Sequence, residues 1–261
     1  MDASASTKQT KAEKTAQATG AEAVGVERAI QLLSQGQVEL VGRIVSSSNA
    51  IFMTRVDDGE LESLAIYKPR RGERPLWDFE HGTLCLREVA AYLLSQMLGW
   101  PLVPPAVLRD GPYGPGAFLL FIDADYEANY FTFREERLPD LFPIALFDVL
   151  ANNADRKGGH LLLDHWSHIW AIDNALTFHP GPKLRTVIWD FAGESIPKEY
   201  LADLRQLQGQ LSGKGALRQV LADLLAEDEI VALQARLAEL LESATFPYPD
   251  PTHRHVPWPM V

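Results

Sequence analysis

The chain has 261 residues, 46% hydrophobic and 23% charged, ordinary values that allow one large domain or two lobes around a cleft. A formal net charge of −11 disfavours non-specific binding to nucleic acid or to an anionic membrane surface, because both need a basic face, yet it leaves room for a local phosphate pocket. One cysteine, Cys85, excludes an intramolecular disulfide and a multi-cysteine zinc site, and the lack of an apolar leader or a long apolar run predicts a cytoplasmic protein.

Residues 1–24 are dominated by Ala, Ser, Thr, Lys, Gln and Glu, which cannot bury enough surface to offset the entropy of ordering, so a flexible tail is expected. Three strand-like runs follow. The run Val38 to Val45 leads into the turn formers Ser46, Ser47, Ser48 and Asn49. Ala50 to Val56 ends at an Asp57-Asp58-Gly59 turn, and the third run is Leu64 to Pro69. Between Thr83 and Leu98 apolar residues recur at helical spacing, with Thr83 as N-cap and Gly99 as C-cap. Two further strands are expected at 106–109 and 117–122.

Beyond this the pattern turns helical. Leu138 to Ala151 reads as a helix entering Asn152-Asn153-Ala154-Asp155-Arg156-Lys157-Gly158-Gly159-His160. A short hairpin of 161–163 and 169–172 comes next, then amphipathic helices at 198–212, 215–226 and 228–243. From Phe246 five prolines predict an extended surface segment with Trp258 as anchor. The expected class is α+β and bilobal: a small antiparallel β lobe with one helix over residues 25–125, and a larger helical lobe over 126–245.

Phosphoryl transfer from ATP needs a loop over the phosphates, a cation on them, metal ligands and a carboxylate that orients the attacking hydroxyl. The loop Ser46-Ser47-Ser48-Asn49-Ala50 offers small residues whose backbone N–H groups can approach phosphate oxygens, although most such loops are plain turns. Lys68 ends the third strand and Glu88 lies on the following helix, the order of a kinase small lobe; singly, each is most often a surface residue. A returning hairpin would gather Asp155, His160 and Asp173 at one end, as metal ligands and catalytic carboxylate require. Arg156 and Lys157 are expected either to contact phosphate or substrate or to be solvated. His165 and His168 are read as solvated turn residues.

These segments resemble the catalytic and metal-binding motifs of atypical kinases typified by type II phosphatidylinositol 4-kinases and the HipA toxin kinases. More closely, Val41 to Pro197 is similar to an actinobacterial family described as phosphatidylinositol 3-/4-kinase-like, through Tyr67-Lys68-Pro69, Pro75 to Phe79, Gly82-Thr83-Leu84, Arg87 to Tyr92, Asn152 to His160, and Val187 to Glu194. The resemblance implies a bilobal kinase fold, ATP, and Mg²⁺ or Mn²⁺. It implies that Lys68 holds the α/β-phosphates, Glu88 orients Lys68, Asp155 is the catalytic carboxylate and Asp173 the main metal ligand. His160 stands where most kinases place an asparagine, and imidazole ligation favours Mn²⁺ over the harder Mg²⁺. The function expected is an ATP-dependent kinase acting on an unidentified hydroxyl-bearing protein or small molecule, with no nucleic-acid partner and no stable membrane association. A nucleotide-binding pseudokinase is the alternative, and a metal-dependent phosphohydrolase a weaker one. Lys68→Met is expected to weaken ATP binding while the fold survives.

Overall fold

The structure, a computed structural model, describes residues 25–45 and 49–261. The flexible-tail expectation for 1–24 and the loop residues Ser46, Ser47 and Ser48 lie outside the described residues. The chain folds as a helix α1 (Val26–Gln35), strands β1 (Gln37–Ile44), β2 (Ile51–Asp57) and β3 (Glu62–Pro69), helix α2 (Leu84–Met97), and strands β4 (Ala106–Gly111) and β5 (Gly114–Leu120). There follow β6 (Ala124–Asp125), α3 (Tyr130–Ala151), β7 (Leu161–Asp164), β8 (Ile169–Ala171), α4 (Lys198–Leu211), α5 (Ala216–Leu221) and α6 (Glu227–Ser243).

The first five strands form one antiparallel sheet in the order β1-β2-β3-β5-β4. The three-strand meander expected from the sequence is thus its first half. Because β5 returns beside β3, Lys68 is paired with Ala117 on β5, one residue beyond the last β2 pairing of the strand, Phe52 with Tyr67. Helix α1 has no counterpart in the sequence reading. Its Leu32 and Leu33 pack with Val56, Ala65, Tyr67 and Phe118, and full burial of such side chains stabilises by about 1.5–3 kcal/mol each. The helix is only 10 residues long and half polar, so tertiary packing rather than local propensity fixes it.

A second sheet, β6-β7-β8, lies in the helical half. The two-residue β6, too short to carry a periodic signal, pairs Ala124 with Asp164. Helix α3 begins eight residues earlier than the sequence suggests. Asn129 caps it, accepting from the Phe131 N–H at 3.0 Å while the Thr132 hydroxyl accepts from the Asn129 N–H at 2.9 Å. Arg137 departs from helical dihedrals, so two helical segments meet there, and Pro139 sits in the opening turn of the second, where its missing N–H is tolerated.

The main core gathers Leu94 of α2 and Leu98 just after it, the apolar residues of α3 between Leu141 and Leu150, and the leucines of α4, α5 and α6. None of the described helices is long and apolar enough to cross a membrane. The proline-rich end is extended, but its anchor is not Trp258, which is 72% exposed. Instead Pro257 is buried, the His255 carbonyl accepts from the Thr186 N–H and the Trp189 indole, and the Met260 carbonyl accepts from the Gly158 N–H at 2.7 Å. The tail therefore closes over the segment that follows Asp155.

Candidate active site

Lys68 leaves β3 toward α2 and the end of β8. Its ammonium bonds Glu88 and lies 2.8 Å from Asp173 Oδ1. Glu88 is fully buried, and its second oxygen accepts from the Asn174 N–H at 3.1 Å. Burial alone would push the Lys68 ammonium toward its neutral form, but the Asp173 and Glu88 carboxylates outweigh this and hold its pKa above the ordinary value. Lys68 in turn holds Asp173 well below the usual carboxylate range, while burial pushes Glu88 up. Asp173 takes φ 56°, a left-handed conformation that aspartate tolerates better than most residues, and this turns its carboxylate off the end of β8 toward Lys68.

Helix α2 is pinned from the other half of the molecule. Arg87 donates to the Thr177 carbonyl at 2.7 Å and forms a buried ion pair with Glu229 of α6. Adjacent residues on α2 thus serve opposite ends: Glu88 fixes the lysine, and Arg87 fixes the helix that carries Glu88.

The Asp155 loop is built on a buried network. Asn152 caps α3 at φ 53°, Asn153 donates to Asp148 at 3.0 Å, and the Asn153 side-chain oxygen accepts from the Asp155 N–H at 3.0 Å. Arg156 is completely buried. It bonds Asp148 at 3.0 to 3.1 Å, the Ile172 carbonyl at 2.6 Å and Asn174 Oδ1 at 2.6 Å. This corrects the expectation that Arg156 contacts phosphate, substrate or solvent: its guanidinium ties the Asp155 loop to the Asp173 turn. Asp155 itself remains partly exposed, with Lys157 Nζ at 3.3 Å. Burial raises its carboxyl above the ordinary value, against the pull of Lys157.

His160 Nε2 lies 3.5 Å from Asp173 Oδ2, and its Nδ1 accepts a long, 3.4 Å bond from the Lys157 N–H. Burial lowers its pKa to about 4, so the ring is neutral near pH 7. The bond to Nδ1 places the ring proton on Nε2, facing Asp173, unless that long bond is surrendered. Of the predicted phosphate loop, Asn49 accepts from the Arg74 N–H at 2.8 Å and the Ala50 N–H donates to the Gly72 carbonyl at 2.9 Å. Of the turn histidines, His165 is exposed beside Asp123 at 3.5 Å, but His168 Nε2 contacts the Pro101 carbonyl at 2.7 Å, a structural use rather than solvation.

The structure therefore brings Lys68, Glu88, Asp173 and His160 into one constellation, with Asp155 beside it. Lys68 and Asp173 line a solvent-open cleft together with Asn49, Ala50 and Glu73. Among the described residues no three His, Cys, Asp or Glu side chains converge as a metal cage. A cation here would need phosphate oxygens to complete its shell, the ordinary arrangement for magnesium at nucleotide sites. The sequence reading missed Arg87, Asp148, Asn174 and Glu73. The available signal was charge in apolar company, Arg87 inside the α2 stripe and Asp148 between Phe147 and Val149.

No family model matches the chain. It is 38% identical over 263 residues to Protein Rv2133c of Mycobacterium tuberculosis, covering 87% of this chain and 94% of that protein. Among solved structures it is similar to the Golgi casein kinase with Mn/ADP bound, with TM-score 0.56 and 15% identity over 84% of this chain and 75% of that one. It is also similar to hydra Fam20 with sugar, with TM-score 0.53, 17% identity and coverage of 84% and 88%. A third is the Helicobacter pylori proinflammatory kinase CtkA, with TM-score 0.50, 12% identity and coverage of 82% and 94%. These likenesses show a mixed α/β, atypical-kinase-like fold.

Proposed function

We propose that this chain, which belongs to the family of Protein Rv2133c and has an atypical-kinase-like fold, is an ATP-dependent phosphotransferase acting in the cytoplasm on a hydroxyl of a protein or small molecule. The observation that carries the reading is Lys68 held between buried Glu88 and Asp173 at the wall of an open cleft. Residues 25–125 form the nucleotide lobe and 126–245 the catalytic lobe.

In this reading Lys68 neutralises phosphate oxygens, with Glu88 fixing its direction so that no reorganisation is needed when charge develops. Asp155 accepts the acceptor hydroxyl's proton and orients its oxygen for in-line attack. Its raised pKa makes it a better base than an unperturbed aspartate. Asp173 would hold a divalent cation, joined by His160 once its ring gives up the Lys157 N–H bond and moves its proton to Nδ1, and the cation would supply charge neutralisation on the phosphates. The Golgi casein kinase of the same fold has Mn and ADP bound, in keeping with nucleotide and metal use here. The phosphatidylinositol 3-/4-kinase-like motifs fit the same chemistry, while the acidic surface favours a protein or small-molecule acceptor over a lipid.

Lys68→Met alone is a poorer test than the sequence suggests, because Lys68 is largely buried and its loss would strand buried Glu88 without a cation. Lys68→Met combined with Glu88→Gln removes the pair together. This double variant is expected to keep a cooperative unfolding transition and to bind ATP roughly 10- to 100-fold more weakly, the worth of a charge-assisted hydrogen bond. Calorimetry showing unchanged ATP affinity would remove Lys68 from the nucleotide site.

The metal is tested at His160. Wild type is expected to prefer Mn²⁺ to Mg²⁺ at equal concentration, and His160→Asn is expected to shift that preference toward Mg²⁺. Matching Mn²⁺ and Mg²⁺ titration profiles for the two proteins would show instead that the imidazole only positions Asp173 through its Nε2 proton.

A further inference from the structure

Glu73 lies five residues beyond Lys68, just after the short turn Arg70–Gly72 that follows β3. Its Oε1 accepts from the Cys85 N–H at 2.8 Å. Helix α2 needs this bond, because its own N-cap residue Thr83 supplies no side-chain cap and donates its hydroxyl to the Glu80 carbonyl instead. Glu73 therefore caps, from outside the helix, the element that carries Glu88.

Its other oxygen has no such use. Glu73 Oε2 is buried without a hydrogen-bond partner, one of three such side-chain atoms among the described residues, with Arg236 Nη2 and His255 Nδ1. Of the three residues, only Glu73 lines the cleft that Lys68 and Asp173 share. An orphaned carboxylate oxygen costs free energy until something donates to it or coordinates it. The neighbouring Cys85 thiol is neutral, its pKa pushed up to about 12 by burial and by the charge and hydrogen bonding of the Glu73 carboxylate, so it offers that carboxylate only a weak S–H donor and no positive charge.

Two hydrogen bonds hold the residues on either side of Glu73 against Asn49 and Ala50, just before β2. The Ala50 N–H donates to the Gly72 carbonyl at 2.9 Å, and the Arg74 N–H donates to Asn49 Oδ1 at 2.8 Å. In the kinase reading this is the phosphate end of the cleft. The ionisable groups lining it are two carboxylates, Glu73 and Asp173, the Lys68 ammonium and a neutral thiol. A triphosphate entering without cations would meet net repulsion there.

From the orphaned oxygen and this charge balance, and resting on the nucleotide reading above, we infer that Glu73 is a cation-binding residue of the nucleotide complex. Its Oε2 takes a divalent ion accompanying the phosphates, directly or through one of the ion's waters. The same side chain then couples metal occupancy to the seating of α2.

The test uses the full chain, with Mn²⁺ titrated calorimetrically against protein saturated with a non-hydrolysable ATP analogue, in wild type and Glu73→Gln. Glutamine keeps an oxygen for the Cys85 N–H but loses the charge. The expected result is Mn²⁺ binding weaker by about 10- to 100-fold in the variant, with metal-free analogue affinity no lower and the melting temperature of the metal-free protein little changed. Equal Mn²⁺ affinity in both proteins would overturn the role of Glu73 and leave the kinase reading standing. A lowered melting temperature with equal losses of metal-dependent and metal-free binding would reduce Glu73 to a helix cap. Wild type that binds the analogue neither with nor without Mn²⁺ would overturn the nucleotide reading, and this inference with it.

Discussion

Asp155→Asn is expected to lower phosphotransfer by about two to four orders of magnitude, the usual scale for losing a positioned general base. Asparagine fills the same space, and the bond that shapes the loop uses the Asp155 backbone N–H rather than its side chain, so the loop should keep its form. Ground-state binding should be spared, since the carboxylate does its proposed work on the acceptor hydroxyl in the transition state. The signature is a fall in kcat with the ATP KM within a few-fold of wild type. The change also removes the repulsion by which Asp173 raises the proton affinity of Asp155. A variant with near-normal turnover would take the base role from Asp155.

The second large effect is on stability. Arg156→Met should destabilise the protein by about 3–5 kcal/mol, the cost of breaking a buried ion pair from one side. Arg156 and Asp148 both have no solvent-exposed side-chain surface, so neither charge can recover hydration in place. Asp148 would keep only the Asn153 amide at 3.0 Å and the Thr186 hydroxyl at 3.2 Å. Burial already raises the Asp148 pKa, and removing the guanidinium, which opposes that rise, would raise it further. A folded-state pKa above the unfolded value means that the folded form gains protons first as pH falls. The deficit of Arg156→Met should therefore shrink toward acidic pH, and Asp148→Asn added to it should recover part of the loss near pH 7. Urea unfolding midpoints at several pH values decide this, and a midpoint unchanged from wild type at pH 7 would mean the pair is not structural.

Much of the fold was legible because its longer elements carry strong periodicity. Strands β1 to β3, helix α2, the β7–β8 hairpin and the first and last of the three C-terminal helices fall within a few residues of their expected positions, while α5 starts as expected but stops at Leu221, five residues short. What escaped were elements that local sequence does not dictate. Helix α1 is short and half polar, and β6 is a two-residue pairing made by a distant turn. The start of α3 was hidden by Pro139, which reads as a boundary yet sits where a helix can restart. Trp258 looked like an anchor because large aromatics usually bury, but it stays exposed, and the carbonyls of His255 and Met260 hold the tail instead.

The candidate site was legible as residue types in order, and Lys68, Glu88, Asp173 and His160 do meet. Its support was not. Arg156 next to Asp155 suggests phosphate contact in one dimension, while in three it is sealed against Asp148 and Asn174. Glu73 gave no signal because neither its tertiary helix cap nor its orphaned oxygen exists before the chain is folded.

The most direct measurement of the central claim is transfer of label from γ-labelled ATP by the purified full-length protein, incubated with cell lysate and Mn²⁺ or Mg²⁺. Wild type is expected to label at least one acceptor in a nucleotide-dependent way, and Asp155→Asn is expected to lose that labelling while still binding ATP. Nucleotide that raises the melting temperature of wild type without any label being transferred or released would contradict the account and identify a pseudokinase.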